Sequence, residues 1–197
     1  MRQPPETFEN FLPEQDFYYF ATTAMRFPHY IPCDYTADEE ESDGSILTLG
    51  NNLRTVDVKK HEVMFQAMLY DRKKLDLPLA SDFYAKNEKF INQLANLLNV
   101  KKWWLLRINC TLGQDKNYVG QFHNDFNYTA FPYLNKHSKT AILYLNTNNG
   151  GTQFYDEDGP IVQSKANTLV KFPTSTKHAG VWATNAKLRY VLNLNYE

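Results

Sequence analysis

Cysteine is scarce in this sequence of 197 residues, which contains only Cys33 and Cys110. Two cysteines this far apart exclude a disulfide framework, and neither belongs to a closely spaced pair of the kind that holds zinc. We therefore expect both thiols to be reduced and buried, as is usual in an intracellular protein.

Long hydrophobic runs are also missing. No segment approaches the roughly 20 consecutive apolar residues that a membrane-spanning helix requires. Prolines and glutamates interrupt residues 1–30, which therefore lack the apolar core of a signal peptide. These absences predict a soluble, cytoplasmic protein without a membrane partner.

An excess of either charge is absent as well. Lys and Arg total 21 and Asp and Glu total 22, which gives a formal net charge of -1. Without a basic excess, nothing in the composition favours nucleic acid as a partner. The composition does not indicate an oligomeric state.

Aromatic residues are plentiful in this chain. They make up 15% of the sequence, with 13 Tyr and 13 Phe, and hydrophobic residues make up 43%. A chain of this length and composition buries a full core and folds as one domain.

The N-terminal half combines predicted helices with a few short strands. Apolar residues recur at helical spacing over residues 13–27 and 81–100, and Ser81 is placed to cap the second helix. Residues 46–50 and 54–58 have the pattern of short strands, and residues 36–45 form an acidic loop. We interpret residues 1–100 as a helical and mixed support region.

The pattern changes after residue 100. Short segments rich in β-branched and aromatic residues alternate with turn sequences such as "NTNNGG" and "DEDGP". The predicted strands are residues 103–110, 118–126, 139–147, 152–157, 168–173, 178–184 and 188–196. Residues 101–197 are therefore predicted to form an antiparallel β-sandwich or barrel, packed with the support region as one domain.

One stretch of the predicted sandwich suggests a metal site. In "FHND", His123 and Asp125 are two residues apart, so on a strand they would point to the same face. A third ligand must come from elsewhere, and His178 is the candidate. Two histidines and a carboxylate suit non-haem Fe(II) oxygenases and also zinc hydrolases, whereas a surface pair at a strand end remains the alternative.

Arg189 lies in the apolar strand that follows His178. A buried guanidinium requires an anion, which is either a structural acid or the carboxylate of a bound molecule. The sequence leaves both alternatives open.

Four motifs in order resemble the prolyl-4-hydroxylase-like 2-oxoglutarate/Fe(II)-dependent dioxygenases: "FHND", "ILYLN" at 142–146, "GGTQFY" at 150–155 and "KHAG…LRYVLNLNY". The resemblance covers about residues 103–196. It implies a mainly β fold with N-terminal helices and a double-stranded β-helix core, which is a jelly-roll or cupin-like arrangement. It also implies that His123, Asp125 and His178 bind iron, and that Arg189 and Tyr144 hold the far carboxylate of 2-oxoglutarate.

The resemblance implies a hydroxylase that uses Fe(II), 2-oxoglutarate and O2, with ascorbate as a reductant, and that attacks an unactivated C–H bond. A peptidyl proline is the first substrate to consider, and residues 127–139 are a candidate entrance loop. The alternatives are a hydroxylase of a small molecule, a cupin-type metal protein without cosubstrate, and a jelly-roll binding module or viral structural domain without metal. Only the two hydroxylases, of a peptidyl proline or of a small molecule, would consume 2-oxoglutarate.

Overall fold

The computed structural model describes residues 4–26, 46–49, 52–55, 64–71, 79–126 and 132–197. Cys33 and the predicted acidic loop at 36–45 lie outside these residues, whereas Cys110 is buried and reduced. The elements follow in chain order: β1 (Glu6–Phe8), α1 (Glu14–Arg26), β2 (Ile46–Leu49), β3 (Asn52–Thr55), β4 (Met64–Asp71), β5 (Leu79–Ala80), α2 (Asp82–Lys86), α3 (Glu88–Leu98), β6 (Trp103–Leu112), α4 (Pro132–His137), β7 (Lys139–Tyr144), β8 (Gly151–Phe154), β9 (Ile161–Gln163), β10 (Leu169–Pro173), β11 (His178–Val181) and β12 (Leu188–Tyr196).

The predicted N-terminal helix is confirmed as α1, whereas the single helix predicted over 81–100 is wrong in one respect. It is divided into α2 and α3 at Asn87, whose φ of -111° and ψ of 18° depart from helical geometry. The Asn87 side chain donates to the carbonyl of Phe83 (2.9 Å), and such local bonds compete with a regular helix. Ser81 caps α2 as predicted, because its Oγ accepts from the amide of Tyr84 at 3.2 Å.

Two antiparallel sheets build the sandwich. The larger has the strand order β1-β10-β7-β12-β6-β4-β5, and the smaller has the order β11-β8-β9. Residues 119–123 extend the smaller sheet beside β11 through two isolated bridges, Val119 to Val181 and His123 to His178. The strand predicted over 118–126 is therefore wrong as a continuous strand.

The order in which the chain visits the two sheets defines the fold. From β6 the chain passes to 119–123 in the smaller sheet, to β7 in the larger, and then to β8 and β9 in the smaller. It continues to β10 in the larger sheet, β11 in the smaller and β12 in the larger. Four strands in each of two facing sheets, visited in this order, form a double-stranded β-helix, so the predicted fold class is confirmed.

Several elements differ from the sequence prediction. The pattern does not predict β4 or β9, and β3 begins at Asn52 rather than at residue 54, whereas residues 56–58 lie outside the described range. A helix, α4, separates β6 from β7, and its Leu134 is buried with Leu105 and Phe126. The candidate entrance loop is thus helical over 132–137, and its residues 127–131 lie outside the description.

The larger sheet has two different faces. Its outer face packs on the helices in a core that includes Phe20, Ile91 and Leu194. Its inner face meets the smaller sheet through Tyr144 and Val191, among others. Because β1 and β4 pair with β10 and β6, the N-terminal segment adds strands to this sheet. The boundary near residue 100 stays a prediction.

No helix among the described residues is both long enough and apolar enough to span a membrane.

Candidate metal centre

His123, Asp125 and His178 meet between the sheets, where one ligand atom from each lies within 4.8 Å of the others. Backbone pairing fixes the two histidines, because each accepts a hydrogen bond from the backbone amide of the other at 3.0 Å. Their ring centroids are 4.7 Å apart. The structure therefore brings together all three residues that the sequence suggested as metal ligands.

The two imidazoles present the same nitrogen to the space between them. Nδ1 of His123 lies 3.0 Å from the carbonyl of Gln121. Nδ1 of His178 lies 3.1 Å from the carbonyl of Thr176. Because a carbonyl only accepts, Nδ1 is the donor in each ring, and in a neutral ring this arrangement leaves the lone pair on Nε2.

His178 is held in the neutral form that a metal requires. It is buried, with 3% of its surface exposed. Burial lowers its pKa from 6.5 to about 4, although the negative charge of Asp125 acts in the opposite direction. At neutral pH its Nε2 is therefore available as a ligand.

One oxygen of the Asp125 carboxylate is fixed by two buried side chains. Thr140 Oγ1 and Asn195 Nδ2 both donate to Oδ2 at 2.8 Å. Asn195 also donates to Thr140 Oγ1 at 2.9 Å, which ties the two donors together. This pair orients the carboxylate on the inner face of the larger sheet.

The other oxygen faces the histidines. Asp125 Oδ1 lies 3.8 Å from Nε2 of His178. Asn193 Nδ2 donates to it at 3.3 Å and Arg107 Nη2 at 3.2 Å. Oδ1 is thus the oxygen placed to bind a cation.

Asp125 is ionised in this setting. Burial alone would raise its pKa, but the electrostatic interactions with His178, Arg107 and His123 and the hydrogen bond from Asn195 lower the pKa well below its usual range. A charged carboxylate together with two imidazole nitrogens is the donor set that Fe(II) and other divalent transition metals prefer.

Arg189 lies on the same inner face, farther along β12. Its Nε donates to Ser164 Oγ at 2.8 Å and its Nη2 donates to the carbonyl of Gly151 at 2.7 Å. Burial lowers the pKa of this guanidinium. Within the described part of the chain, no carboxylate lies at ion-pair distance from it. The structural acid that the sequence left open is therefore not found among these residues.

Tyr144 is beside Arg189. The guanidinium carbon lies 5.6 Å from the centre of the tyrosine ring. The Tyr144 hydroxyl is within hydrogen-bond distance of Thr152 Oγ1 (2.9 Å) and the carbonyl of Val162 (3.1 Å). Burial raises the pKa of this hydroxyl, despite the nearby arginine, so it stays protonated and can donate to an anion.

The sequence interpretation missed the residues that hold Asp125, although part of their signal is visible. Arg189, Asn193 and Asn195 are separated by four and two residues along β12, so the two-residue period of a strand puts all three on one face. Thr140 has no comparable local signal. Arg107, which lies on β6 and pairs with Asp125, has no local signal in the sequence either.

Comparison with known proteins identifies the fold. No family model and no curated protein matches the sequence. Solved structures do match, and they include 2-oxoglutarate/Fe(II) oxygenases and prolyl hydroxylases, so the resemblance is confirmed at the level of the fold.

Three of these solved structures show how similar they are to this chain in fold and in sequence. An oxidoreductase of the 2OG-Fe(II) oxygenase family from Burkholderia pseudomallei has a TM-score of 0.62 and 8% identity, over 98% of this chain and 84% of its own. A prolyl hydroxylase from Trichoplax adhaerens, in complex with a hypoxia-inducible-factor peptide, has a TM-score of 0.59 and 13% identity, over 98% and 82%. The non-haem α-ketoglutarate-dependent epimerase SnoN of nogalamycin biosynthesis has a TM-score of 0.57 and 17% identity, over 100% and 78%.

Proposed function

We propose that this protein is an Fe(II)- and 2-oxoglutarate-dependent dioxygenase that hydroxylates an unactivated C–H bond. One observation carries the proposal. Two imidazole Nε2 atoms and a carboxylate oxygen converge between the sheets of a double-stranded β-helix. Similar solved structures with this fold include 2-oxoglutarate/Fe(II) oxygenases.

His123, Asp125 and His178 are the proposed iron ligands. Three protein ligands leave other coordination positions open for cosubstrate and O2. Bound iron would supply the activation of O2 that no amino-acid side chain provides. The protein's own part is to keep the buried His178 neutral and Asp125 ionised.

Arg189 and Tyr144 are the proposed binding residues for the far carboxylate of 2-oxoglutarate. The guanidinium is buried without an acidic partner in the described part of the chain, and the adjacent tyrosine is a protonated donor. A charge-assisted pair with a carboxylate would satisfy both groups. This feature favours a 2-oxoglutarate enzyme over a cupin-type metal protein, which has no need for a buried arginine.

The substrate of the proposed dioxygenase is either a peptide or a small molecule. The Trichoplax structure contains a peptide, whereas SnoN belongs to the biosynthesis of nogalamycin, so the fold accommodates both kinds of substrate. A peptidyl proline remains the first candidate and a small molecule the second. If proline-containing peptides raise succinate formation above the background without substrate, the peptide assignment holds; if only free metabolites do so, it fails. The cytoplasmic location stays a prediction.

The metal assignment is tested by titrating the protein with Fe(II) in a calorimeter without oxygen. His123→Ala and His178→Ala each remove one ligand, so both should lose tight binding. His137→Ala is the matched control, because His137 is exposed at the end of α4. If both ligand variants bind Fe(II) as tightly as the parent protein and the control, the site is elsewhere.

A further inference from the structure

We propose that Arg107 binds a carboxylate of the substrate, so that the substrate is an acid: a free carboxylic acid or a peptide with an acidic residue beside the reacting carbon. The inference rests on the proposed function and concerns the same cavity. It assigns Arg107 a role different from that of Arg189.

The two arginines stand at different places on the inner face of the larger sheet. Arg107 on β6 is directly opposite Asn193 on β12, whereas Arg189 is opposite Thr111. Asn193 and Arg189 are four residues apart, which corresponds to about 13 Å along a strand. Each guanidinium therefore serves its own part of the cavity, and Arg107 is the one beside the proposed metal ligands.

Fewer of the nitrogen donors of Arg107 than of Arg189 have a hydrogen-bond acceptor in the protein. Its Nη2 donates to Asp125, but its Nε is buried and has no hydrogen-bond partner in the described structure. In Arg189 both Nε and Nη2 have protein acceptors. The Arg107 side chain also keeps 16% of its surface exposed, so the protein does not enclose it completely.

The partner of Arg107 is shared with the metal site. Arg107 pairs with Oδ1 of Asp125, and this is the oxygen that lies 3.8 Å from Nε2 of His178. A cation bound there would take up the charge of this carboxylate. Arg107 would then be a cation without an anion in an interior of low dielectric constant, where an unpaired charge is costly.

The charges of the cavity lead to the same substrate class. The two guanidiniums of Arg107 and Arg189 share one acidic side chain, Asp125, which pairs with Arg107, and no carboxylate among the described residues lies at ion-pair distance from Arg189. With a divalent metal and dianionic 2-oxoglutarate bound, the site retains one excess positive charge. A substrate with one carboxylate near Arg107 would neutralise it, and a planar guanidinium matches a carboxylate in geometry.

The test uses the full chain with Fe(II) and 2-oxoglutarate, without oxygen, and measures ligand binding by calorimetry. The probes are a panel of small amino and hydroxy acids with their matched primary amides, and blocked proline peptides that differ only in Asp or Asn beside the proline. In the parent protein, acids should bind about tenfold or more tightly than their neutral partners, as expected for a charge-assisted contact. The pair that shows the preference tells whether the carboxylate is free or peptidyl.

Arg107→Gln should remove the preference for acids, whereas the control Arg189→Gln should keep it and instead weaken binding of 2-oxoglutarate. Arg107→Lys, which keeps the charge beside Asp125, should retain part of the preference; it also serves if the glutamine variant fails to fold by circular dichroism. Equal binding of acids and amides by the parent protein overturns the proposal, as does an undiminished preference in Arg107→Gln. If Arg107→Gln weakens 2-oxoglutarate binding as much as Arg189→Gln does, the carboxylate belongs to the cosubstrate. A parent protein that binds neither Fe(II) nor 2-oxoglutarate refutes the proposed function itself.

Discussion

Replacing Thr140 with valine removes one of the two donors that fix Oδ2 of Asp125. The Thr140 hydroxyl donates to this oxygen at 2.8 Å, and the side chain is fully buried, so water cannot take its place. Valine has nearly the same shape but no hydroxyl. The change removes this bond together with the hydroxyl's contacts to Asn195 (2.9 Å) and Thr174 (3.1 Å), with little change in packing.

The expected loss follows from the charge of the acceptor. A hydrogen bond to a charged group contributes about 1.5–3 kcal/mol, so the metal-free Thr140→Val protein should lose about that much free energy of unfolding. Outer groups that orient metal ligands typically contribute 10- to 100-fold in metal affinity. We therefore expect the Fe(II) dissociation constant to rise by about that factor, or roughly 1.4–2.7 kcal/mol.

Urea unfolding measures the first quantity and anaerobic calorimetry with Fe(II) measures the second. Thr168→Val is the matched control, because Thr168 is also buried but its Oγ1 has no hydrogen-bond partner in the described structure. Removing that hydroxyl should leave the Fe(II) affinity unchanged and should not lower the free energy of unfolding, since a buried group without a partner contributes no hydrogen bond. The reasoning is refuted if Thr140→Val binds Fe(II) as tightly as the parent protein, or if the control loses equal affinity.

Three further predictions concern the same site. Arg189→Ala should raise the half-saturation concentration of 2-oxoglutarate about 30- to 1000-fold in anaerobic titrations, since it removes a charge-assisted contact of about 2–4 kcal/mol. Unchanged affinity would mean that another basic residue holds the carboxylate. The free energy of unfolding of the metal-free protein should fall by up to roughly 3 kcal/mol as the pH drops from about 6.5 to 4, because His178 is protonated in the unfolded chain but, with a pKa of about 4, not in the folded chain. Urea titrations measure this change. His178→Gln should flatten the dependence on pH, and an unaltered slope would exclude His178 as its source. Free Fe(II) at about 100 times its dissociation constant should stabilise the parent protein by about 2.7 kcal/mol and should leave the stability of His123→Ala unchanged. Equal stabilisation of both proteins would place the metal elsewhere.

The sequence predicts the sandwich well because most of its strands have a local pattern. The segment of β12 alternates at the two-residue period of a half-buried strand, and its start and end are predicted correctly. The segment of β4, "MFQAMLYD", contains Met, Gln, Ala and Leu, which favour helices in isolation. Its pairing with β6 overrides this preference, and no local pattern reports such pairing.

The candidate metal site is predictable only in part. The spacing of His123 and Asp125 suggests a shared face, although the structure places them beside an isolated bridge and not on a regular strand. The bonds that orient Asp125 come from Thr140 and Asn195, which are 15 and 70 residues away along the chain. Contacts over such separations depend on the register of the strands, and a single sequence does not reveal them.

We propose above that this chain binds 2-oxoglutarate on iron held by His123, Asp125 and His178. The most direct test is to add 2-oxoglutarate to the anaerobic Fe(II) protein, record the visible spectrum, and then admit O2 and measure succinate. We expect a metal-to-ligand charge-transfer band and the formation of succinate in the parent protein, and neither in His178→Ala. A parent protein that binds Fe(II) but gives no band and no succinate, with or without added substrates, would contradict this proposal.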